Sequence, residues 1–502
     1  MRDLEATSGA EAESQDGPRR RAVTLPSEPV LEPDVTRSRR VCLAEEAPSP
    51  RVCLAEEAPS PRACLADQAP SPRVCLAEEA PSPGACLADE APSPRVCLAD
   101  EAPSPRVCLA DQAPSPLWSS GVSPLLLARY YLPRGHVVSR GNTCVLLRDG
   151  VEAYPAMLEA IRGARRYIRL ETYMFITDAV GELFGQALAE AAERGVHVKV
   201  LYDAVGSWTS RRGFFEALRQ RGVDIRPFKP FSLSRGWRHL VRRDHRKILV
   251  VDGEVAFTGG VNISAHWAPE GQGGGWRDDV LRIEGPAVHA LERRFLATWR
   301  MMFQDRFHRW TQGLHRWRRR PVGRGHVGVA VLSSRRGIHR AYLHAIQRAR
   351  RSVLIAAAYF VPDRRLVAVL RDAARRGVEV RLLLNARSDH PLLEFVSRTF
   401  YEKLLGAGVR IFEWQRGVLH AKTAVVDGAW GTVGSFNLER LSLAFNHEVN
   451  AVFADPRLGR RLEESFREDC TGCREVTLTE FRRRPLWLKL LERVLVSLRE
   501  VL

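Results

Sequence analysis

The sequence predicts an α/β fold made of two related halves, each with a mixed sheet covered by helices. Three observations support this prediction. Between about 125 and 480 the chain alternates between helical and strand patterns. The strand candidates are continuous apolar runs, typical of strands that are buried on both faces. The whole series occurs again after about 175 residues, which indicates a duplication, so we expect two halves packed face to face about a pseudo-twofold axis.

Helical and strand patterns follow one another in the same order in both copies. Each copy has a helix end that runs into a strand, then an amphipathic helix with apolar residues at intervals of three and four, then another strand. In the first half, predicted over 125–325, these lie at 160–175, 181–195 and 196–206; in the second, predicted over 326–480, they lie at 345–360, 366–377 and 378–386.

Residues 1–116 precede the duplicated part and differ from it in composition. Residues 40–116 are seven copies of an 11-residue unit, RVCLAEEAPSP with small variations. The Pro-Ser-Pro of the unit excludes a continuous helix, because proline removes a backbone donor and moves its predecessor out of the α region. The prediction is a disordered spacer with transient helix at CLAEEA; an array that binds a partner is the alternative.

The last segment, 481–502, predicts a basic amphipathic helix. Its apolar residues, which include Trp487, fall on one helical face, and the run Arg482–Arg484 adds positive charge. Two interpretations stay open at this point. The helix docks on the body of the protein, or it lies in the plane of a membrane surface.

The sequence contains neither a run of 18 apolar residues nor a signal-peptide pattern. We therefore expect a cytoplasmic protein, soluble or peripheral to the membrane. Seven of the ten cysteines fall in the repeat, which is not a disulfide framework and fits a reducing compartment. Cys470-x-x-Cys473 lacks the second pair that a structural zinc site needs.

Charge is distributed unevenly along the chain. Residues 1–116 carry 12 basic and 20 acidic side chains, whereas the remainder carries 64 basic and 39 acidic ones, a balance of +25. A surplus of this size attracts polyanions, either nucleic acid or an anionic membrane surface. Charge alone does not distinguish these two partners.

A polar motif, His-x-Lys-x4-Asp, occurs once in each half, and an Asn follows its His after 17 residues in both. The chain has only 14 His and six Lys, so one such motif should arise by chance on the order of 0.01 times. The motif residues are His245, Lys247, Asp252 and Asn262 in the first half, and His420, Lys422, Asp427, Ser435 and Asn437 in the second.

The spacing has a geometric meaning. In a strand, residues i and i+2 point to the same face, so each His lies beside its Lys. The chain then turns and returns with a Gly-Gly or Gly-Ser segment and the Asn. Two halves that meet in one cleft would pool two imidazoles and two ammonium groups, an environment suited to a phosphate-like anion.

Two imidazoles on opposite sides of a phosphorus atom suit double displacement. One attacks phosphorus and becomes a covalent phosphohistidine, while the other acts first as general acid and later as general base. The lysines and asparagines would hold the non-bridging oxygens. Because no cluster of acidic ligands for a divalent ion is evident, we expect neither a metal nor another cofactor. Which histidine attacks is not readable from the sequence.

A histidine in this role usually needs a carboxylate on its second ring nitrogen. One candidate follows each motif: Asp278 in WRDDVLRIEG lies 33 residues after His245, and Glu448 in NHEVNAVF lies 28 residues after His420. Each is therefore assigned to the histidine that it follows. Asp279 is the alternative to Asp278.

These residues resemble the phospholipase D superfamily, whose hallmark is a pair of His-x-Lys-x4-Asp motifs on a duplicated α/β fold. Over about 140–480 several stretches are similar to bacterial cardiolipin synthases of the type without N-terminal membrane spans. They include DHRKILVVDGEVAFTGGVNIS, WRDDVLRIEGPAV and HAKTAVVDGAWGTVGSFNLERLSLAFNHEVN. The resemblance implies a phospholipase D-type fold. It further implies catalytic positions at His245, Lys247, Asp252, His420, Lys422 and Asp427, phosphate binding at Asn262, Ser435 and Asn437, and orientation of the histidines by Asp278 and Glu448.

The reaction that the resemblance implies moves a phosphatidyl group from one phospholipid, through the enzyme histidine, to phosphatidylglycerol. It would take place on an anionic membrane, at the cytoplasmic face. Gly260 stands where the superfamily pattern has Ser, which removes one hydroxyl from the site. The alternatives are a lipid hydrolase, a nuclease and a catalytically silent membrane-binding module. The Trp-containing basic terminus favours a bilayer over nucleic acid.

Overall fold

The computed structural model describes residues 123–230, 242–269, 274–303, 323–485 and 487–488. The predicted spacer and repeats (1–116) lie outside the described residues, and so does most of the predicted C-terminal helix, namely 486 and 489–502. In its described part a helix ends at Arg482 and 483–485 are not helical, so the predicted helix does not run continuously from 481. The spacer and the rest of this helix stay predictions.

Strands and helices alternate along both halves, as the apolar patterns predict. The strands are β1 (Ser139–Arg148), β2 (Tyr167–Thr172), β3 (His197–Asp203), β4 (Asp224–Phe228), β5 (Ile248–Val251), β6 (Val255–Gly259), β7 (Asp279–Glu284), β8 (Val327–Leu332), β9 (Ser352–Ala357), β10 (Glu379–Asn385), β11 (Arg410–Trp414), β12 (Lys422–Val426), β13 (Trp430–Gly434), β14 (Asn450–Ala454) and β15 (Cys473–Val476). The helices are α1 (Pro124–Tyr131), α2 (Asp149–Arg162), α3 (Ala179–Glu193), α4 (Arg212–Gln220), α5 (Ala287–Phe303), α6 (Arg335–Arg348), α7 (Arg364–Arg375), α8 (Pro391–Arg398), α9 (Tyr401–Leu405), α10 (Arg440–Ala444), α11 (Pro456–Cys470) and α12 (Leu478–Arg482).

The strand order shows the duplication directly. From the centre outward the first half runs β1-β7-β6-β5-β2-β3-β4, and the second runs β8-β14-β13-β12-β9-β10-β11 with β15 at its edge. Strands β2, β3 and β4 of the first half pair in parallel, and so do β9, β10 and β11 of the second. The other neighbouring strands pair antiparallel. The predicted duplicated α/β fold with mixed sheets is confirmed. The antiparallel pairing of β1 with β8, which joins the halves, was not predicted.

The two halves share one hydrophobic core. Ile248 and Leu281 of the first half belong to the same buried cluster as Leu354, Val425 and Val433 of the second. One further cluster lies within the first half and includes helical residues of α2 and α3. Another is made mainly of second-half residues, including those of α6 and α7, and also contains Leu127 and Tyr131 of α1. Continuous apolar strands are therefore buried on both faces, by helices on one side and by the other half on the second.

A tight turn follows the motif strand in each half. The turn residues are Asp252-Gly253 after β5 and Asp427-Gly428 after β12, and all four have positive φ, between 54° and 71°. Asp and Gly adopt this left-handed backbone more readily than most residues, and such pairs favour two-residue hairpins. Each motif strand is thereby paired with the strand that returns toward the Asn of the motif.

Candidate active site

His245 and His420 lie just before β5 and β12, where segments of opposite halves are joined by backbone hydrogen bonds. The N–H of His245 donates to the carbonyl of His447 (3.0 Å), and the N–H of His420 donates to the carbonyl of Arg277 (2.7 Å). Each histidine is thus attached to a segment of the other half. Both imidazoles are buried, and the charge of His245 contributes to lowering the pKa of His420.

The carboxylates pair with the histidines crosswise between the halves. Nδ1 of His245 lies 3.2 Å from Oε2 of Glu448, and Nδ1 of His420 lies 2.6 Å from Oδ2 of Asp278. The assignment of each carboxylate to the histidine that precedes it in the chain is therefore wrong. Asp278 lies just before β7. It reaches the histidine of the second half because the backbone of its neighbour Arg277 pairs with the backbone at 418–420.

Asp278 rather than Asp279 faces the imidazole. The carboxylate of Asp279 lies 2.9 Å from the guanidinium of Arg277 and is held there. Asp278 also accepts a hydrogen bond from the indole N–H of Trp267 (3.1 Å). A side chain at Gly260 would meet the Asp278 carboxylate, since an added Cβ would lie 2.1 Å from Oδ1. That contact explains why Gly stands at this position of the motif.

Ser435 is the second-half counterpart of Gly260, and its role differs from the one expected. Its hydroxyl donates to Oε2 of Glu448, while Ser442 donates to Oε1 (2.9 Å). The single hydroxyl proton of Ser435 is therefore committed to the carboxylate. The structure places Ser435 as a residue that positions Glu448, not as a phosphate ligand.

The strand geometry expected for the His-x-Lys pairs is not found, because His245 and Lys247 precede β5, and His420 precedes β12, which begins at Lys422. Each lysine nevertheless lies beside its histidine. Nζ of Lys247 donates to the carbonyl of His245 (2.8 Å), and Nζ of Lys422 donates to the carbonyl of His420. Burial and the charge of Lys422 lower the pKa of Lys247 to about 7. Burial likewise lowers the pKa of Lys422 to about 8. A bound anion would favour the protonated form of both.

Burial controls the protonation of the remaining groups. It lowers the pKa of His245, and it lowers that of His420 well below its usual value, with the lysine charges acting in the same direction. Burial raises the pKa of Asp278 to about 6 although Lys422 opposes this. For Glu448, burial is outweighed by the contacts with His245 and Ser435, so its pKa is lowered. At neutral pH the imidazoles of His245 and His420 are therefore neutral, and each lies beside a carboxylate.

The two asparagines of the motif are both buried. Oδ1 of Asn262 accepts the N–H of Met174 (3.1 Å), which leaves its NH2 group as a donor for a ligand. The side chain of Asn437 hydrogen-bonds Glu439. Oδ1 of Asn437 has no hydrogen-bond partner within the described residues.

Asp252 and Asp427 do not belong to the reacting site. The carboxylate of Asp252 accepts the N–H groups of Arg165, Arg166 and Tyr167, each at 2.8 Å. Asp427 makes the equivalent contacts with 350–352. Each Asp lies five positions after its Lys, about 16 Å along an extended chain at about 3.3 Å per residue. The catalytic assignment of both is corrected to a structural one.

Four aromatic side chains surround the imidazoles and were not predicted. Ring centroids lie 5.1 Å apart for Tyr173 and His245, and 5.1 Å apart for Trp267 and His420; Trp276 and Tyr359 also contact His420. Both tyrosines follow equivalent strands, in ETYMF and AAYFV. Comparison of the two halves could have found this pair, whereas the tryptophans have no counterpart in the second motif.

Metal binding has no support in the described ranges, where no group of three or more His, Cys, Asp or Glu side chains could hold an ion. In the same ranges no helix has both the length and the apolar character needed to cross a bilayer.

Fold and site together define a protein of the phospholipase D type: two similar α/β halves, each of which supplies a His-x-Lys pair to one buried polar cluster. A family model described as "Cardiolipin synthase, PLD-like domain" matches residues 157–299 and 342–470. The chain belongs to this cardiolipin synthase family, as the motifs predicted.

Similar proteins agree with this assignment. Cardiolipin synthase of Geobacillus thermodenitrificans (strain NG80-2) is 35% identical over 379 residues, which cover 74% of each chain. Cardiolipin synthase of Listeria monocytogenes serotype 4a (strain HCC23) is 32% identical over 370 residues, 72% of this chain and 75% of that one. The crystal structure of phosphatidylserine synthase from Haemophilus influenzae Rd KW20 aligns with a TM-score of 0.56 at 13% identity, over 73% of this chain and 95% of that one, and shows the fold alone.

Proposed function

We propose that this cardiolipin synthase transfers a phosphatidyl group from one phosphatidylglycerol to another through a phosphohistidine. One observation supports this proposal above all others: each imidazole is buried against a carboxylate of the opposite half. Nδ1–H then donates to the carboxylate, so that the second nitrogen, Nε2, is the one available for chemistry.

The proposed reaction has two displacements. A bound phosphodiester anion favours protonation of one of the two otherwise neutral imidazoles. In the first displacement, Nε2 of the other, neutral histidine attacks phosphorus, the bond from phosphorus to the glycerol oxygen breaks, and the imidazolium gives its proton to that oxygen. In the second, the same imidazole takes the proton of a glycerol hydroxyl from a second phosphatidylglycerol. The alcohol oxygen attacks phosphorus and the phosphorus–nitrogen bond breaks. The products are cardiolipin and glycerol, and both histidines return to their starting forms.

The lysines and asparagines supply the charge stabilisation in this proposal. Lys247 and Lys422 have low pKa values because the site is buried, and a phosphodiester anion restores their protonated forms. Their ammonium groups, with the NH2 group of Asn262, would hold the non-bridging oxygens as charge develops there. Asp278 and Glu448 would stabilise the imidazolium ions that form during proton transfer.

The membrane context is also part of the proposal. The protein acts on membrane phospholipids as its relatives do, and the balance of +25 after residue 116 favours an anionic surface. We propose phosphatidylglycerol as the lipid, the cytoplasmic face of the membrane as the location and 487–502, within the predicted C-terminal segment 481–502, as an in-plane helix. The N-terminal spacer (1–116) and the boundaries of the halves (125–325 and 326–480) stay part of the same proposal.

Purified protein with phosphatidylglycerol vesicles tests the reaction. We expect cardiolipin and free glycerol as products, and His245→Ala and His420→Ala should each lower the rate by at least about 10³-fold while the circular dichroism spectrum stays unchanged. Rapid denaturation under mildly alkaline conditions, with the label on the phosphorus of the substrate, should trap a phosphohistidine, because its phosphorus–nitrogen bond is labile to acid. Phosphatidic acid without cardiolipin would instead identify a hydrolase. Nicked DNA with untouched lipid would identify a nuclease.

A further inference from the structure

A tyrosine and a carboxylate lie on the His420 side of the site and have no part in the reaction described so far. Tyr359 lies immediately after β9 and its ring contacts that of His420, with centroids 6.4 Å apart. The hydroxyl of Tyr359 donates to the carboxylate of Asp389, at 2.9 and 2.7 Å from its two oxygens. Asp389 belongs to the loop between β10 and α8. The loop thereby brings a negative charge to the edge of a cationic site.

The first half has no equivalent arrangement. Tyr173, the counterpart of Tyr359, packs on His245, and the ammonium group of Lys247 lies 5.4 Å from its ring centroid. No hydrogen bond from its hydroxyl to a carboxylate occurs in the described part of the chain. Asp203, at the end of β3, is bound to Arg243 at 2.7 Å. The two sides of the site therefore differ in charge although the fold is duplicated.

Asp389 is accessible and acts electrostatically on the reacting groups. Its side chain is 26% exposed. Burial lowers the pKa of His420 and of Lys422, and the charge of Asp389 opposes that effect at both. Besides Tyr359, the hydroxyl of Ser388 donates to Asp389 at 3.2 Å, and Nε2 of His390 lies 3.7 Å from its Oδ2. A carboxylate accepts about four hydrogen bonds, so Asp389 has capacity left for a ligand.

The chemistry of a carboxylate at this place limits what it can bind. It repels the phosphate group, which the lysines attract, so it must face a part of the substrate that carries no negative charge. It accepts hydrogen bonds from hydroxyl groups, and two vicinal hydroxyls can bind its two oxygens together. The glycerol headgroup has such hydroxyls, both as the leaving group and on the acceptor lipid.

We propose that Asp389, held in place by Tyr359, binds the vicinal hydroxyls of the glycerol headgroup beside His420. The subsite would take the glycerol that leaves in the first displacement and the glycerol headgroup of the acceptor in the second. It would place the reacting primary hydroxyl within reach of the imidazole that takes its proton. This inference rests on the transfer reaction proposed above, and it assigns polyol selectivity to one loop of the second half.

Acceptor alcohols that share a carbon chain test the subsite. With phosphatidylglycerol vesicles as donor, transfer to labelled glycerol, to propane-1,2-diol and to propan-1-ol is measured for the full-length protein and for Asp389→Asn. We expect kcat/KM for glycerol and for the diol to fall roughly 10- to 100-fold, because hydrogen bonds to a charged group are lost. The kcat/KM for propan-1-ol, which like the other two values reports the second displacement alone, should stay within about 3-fold of wild type. Tyr359→Phe should show the same selectivity with a smaller loss.

Matched controls separate this role from other effects. Asp372→Asn changes an exposed carboxylate on α7, and Tyr173→Phe changes the first-half counterpart of Tyr359; neither should alter the ratio of glycerol to propan-1-ol transfer. An equal loss for all alcohols would overturn the inference, since Asp389 would then act through the protonation of His420. A larger loss for ethanolamine than for glycerol would also overturn it, in favour of a cation site. Propan-1-ol transfer by the wild type tests the underlying reaction separately, because propan-1-ol has no vicinal hydroxyls for Asp389 to bind as an acceptor.

Discussion

Lys247 and Lys422 are buried cations, and their positions are unfavourable for folding. Both are at most 5% exposed, and burial lowers their pKa values to about 7 and about 8. An unfolded lysine has a pKa of about 10.4, so folding shifts the equilibrium toward the neutral form. The charges that a phosphate ligand needs are thus retained at the expense of stability, as is common at functional sites.

Replacing Lys247 by Met should therefore stabilise the folded protein while removing activity. The substitution keeps the apolar stem and removes the ammonium group, and we expect the free energy of unfolding to rise by about 1–3 kcal/mol at pH 6. The pKa of Lys247 is lower in the folded than in the unfolded protein, so its charge destabilises the folded protein to the full extent below about pH 7. This destabilisation disappears as the pH rises toward the pKa of the unfolded lysine. Urea unfolding at pH 6 and pH 9.5 measures this, and a gain that does not shrink with rising pH would contradict the assignment.

The side chains at the reacting centre could be predicted only in part. The i, i+2 spacing predicts that each Lys lies beside its His, because side-chain alternation along an extended segment is a local property. The pairing of His245 with Glu448 depends on contacts between segments about 200 residues apart, and local spacing does not encode them. Gly260 was a departure from the pattern in the sequence, and only the position of the Asp278 carboxylate explains it.

The two hairpins that follow the motif strands show how a shared motif residue can serve the fold. Asp252 satisfies three successive backbone N–H groups at the start of β2, and Asp427 does so at the start of β9. Each thereby fixes the end of the motif strand against its antiparallel neighbour. Sequence spacing alone makes these residues look like members of the site, because they belong to the same eight-residue pattern.

Asp252→Asn should lower stability and leave the chemistry intact. Asn tolerates the positive φ of this position but replaces a charged acceptor with a neutral one, so we expect a loss of about 1.5–3 kcal/mol in the free energy of unfolding. Turnover of folded protein at low temperature should stay within about 3-fold of wild type. Chemical denaturation followed by circular dichroism measures the free energy of unfolding. A cardiolipin assay at about 15–20 °C measures the turnover. A loss of turnover of about 100-fold in fully folded protein would show that Asp252 belongs to the reacting site after all.

Element types were predictable from periodicity, whereas some ends were not. The helix predicted at 181–195 is α3, and the strand predicted at 378–386 is β10, with its ends within one residue. The strand predicted at 196–206 ends at Asp203, because that carboxylate accepts the N–H groups of Val205 and Gly206 and turns the chain. The apolar residues after Asp203 extend the pattern although the strand has ended.

The site as a unit exists only where both halves are present. The halves share one core, and Arg277 of the first contacts Asp469 of the second at 2.9 Å. Two similar sequences predict two similar folds, but which face of each meets the other follows from the continuous burial of the strands. The crossed carboxylates are the consequence: neither half contains a complete histidine–carboxylate pair.

Crossed pairing makes a prediction that double-mutant cycles can test through unfolding free energies. In the cycle of His245→Gln with Glu448→Gln, we expect a coupling of about 1–2 kcal/mol, because the pair shares a buried hydrogen bond. The cycle of His420→Gln with Asp278→Asn should give a similar value. The pairs within one half, His245 with Asp278 and His420 with Glu448, should couple by less than about 0.5 kcal/mol, since they make no direct contact. Urea denaturation of the single and double variants at pH 7 gives the four couplings. Stronger coupling within the halves than between them would mean that each half orients its own histidine, and the crossed geometry would be wrong.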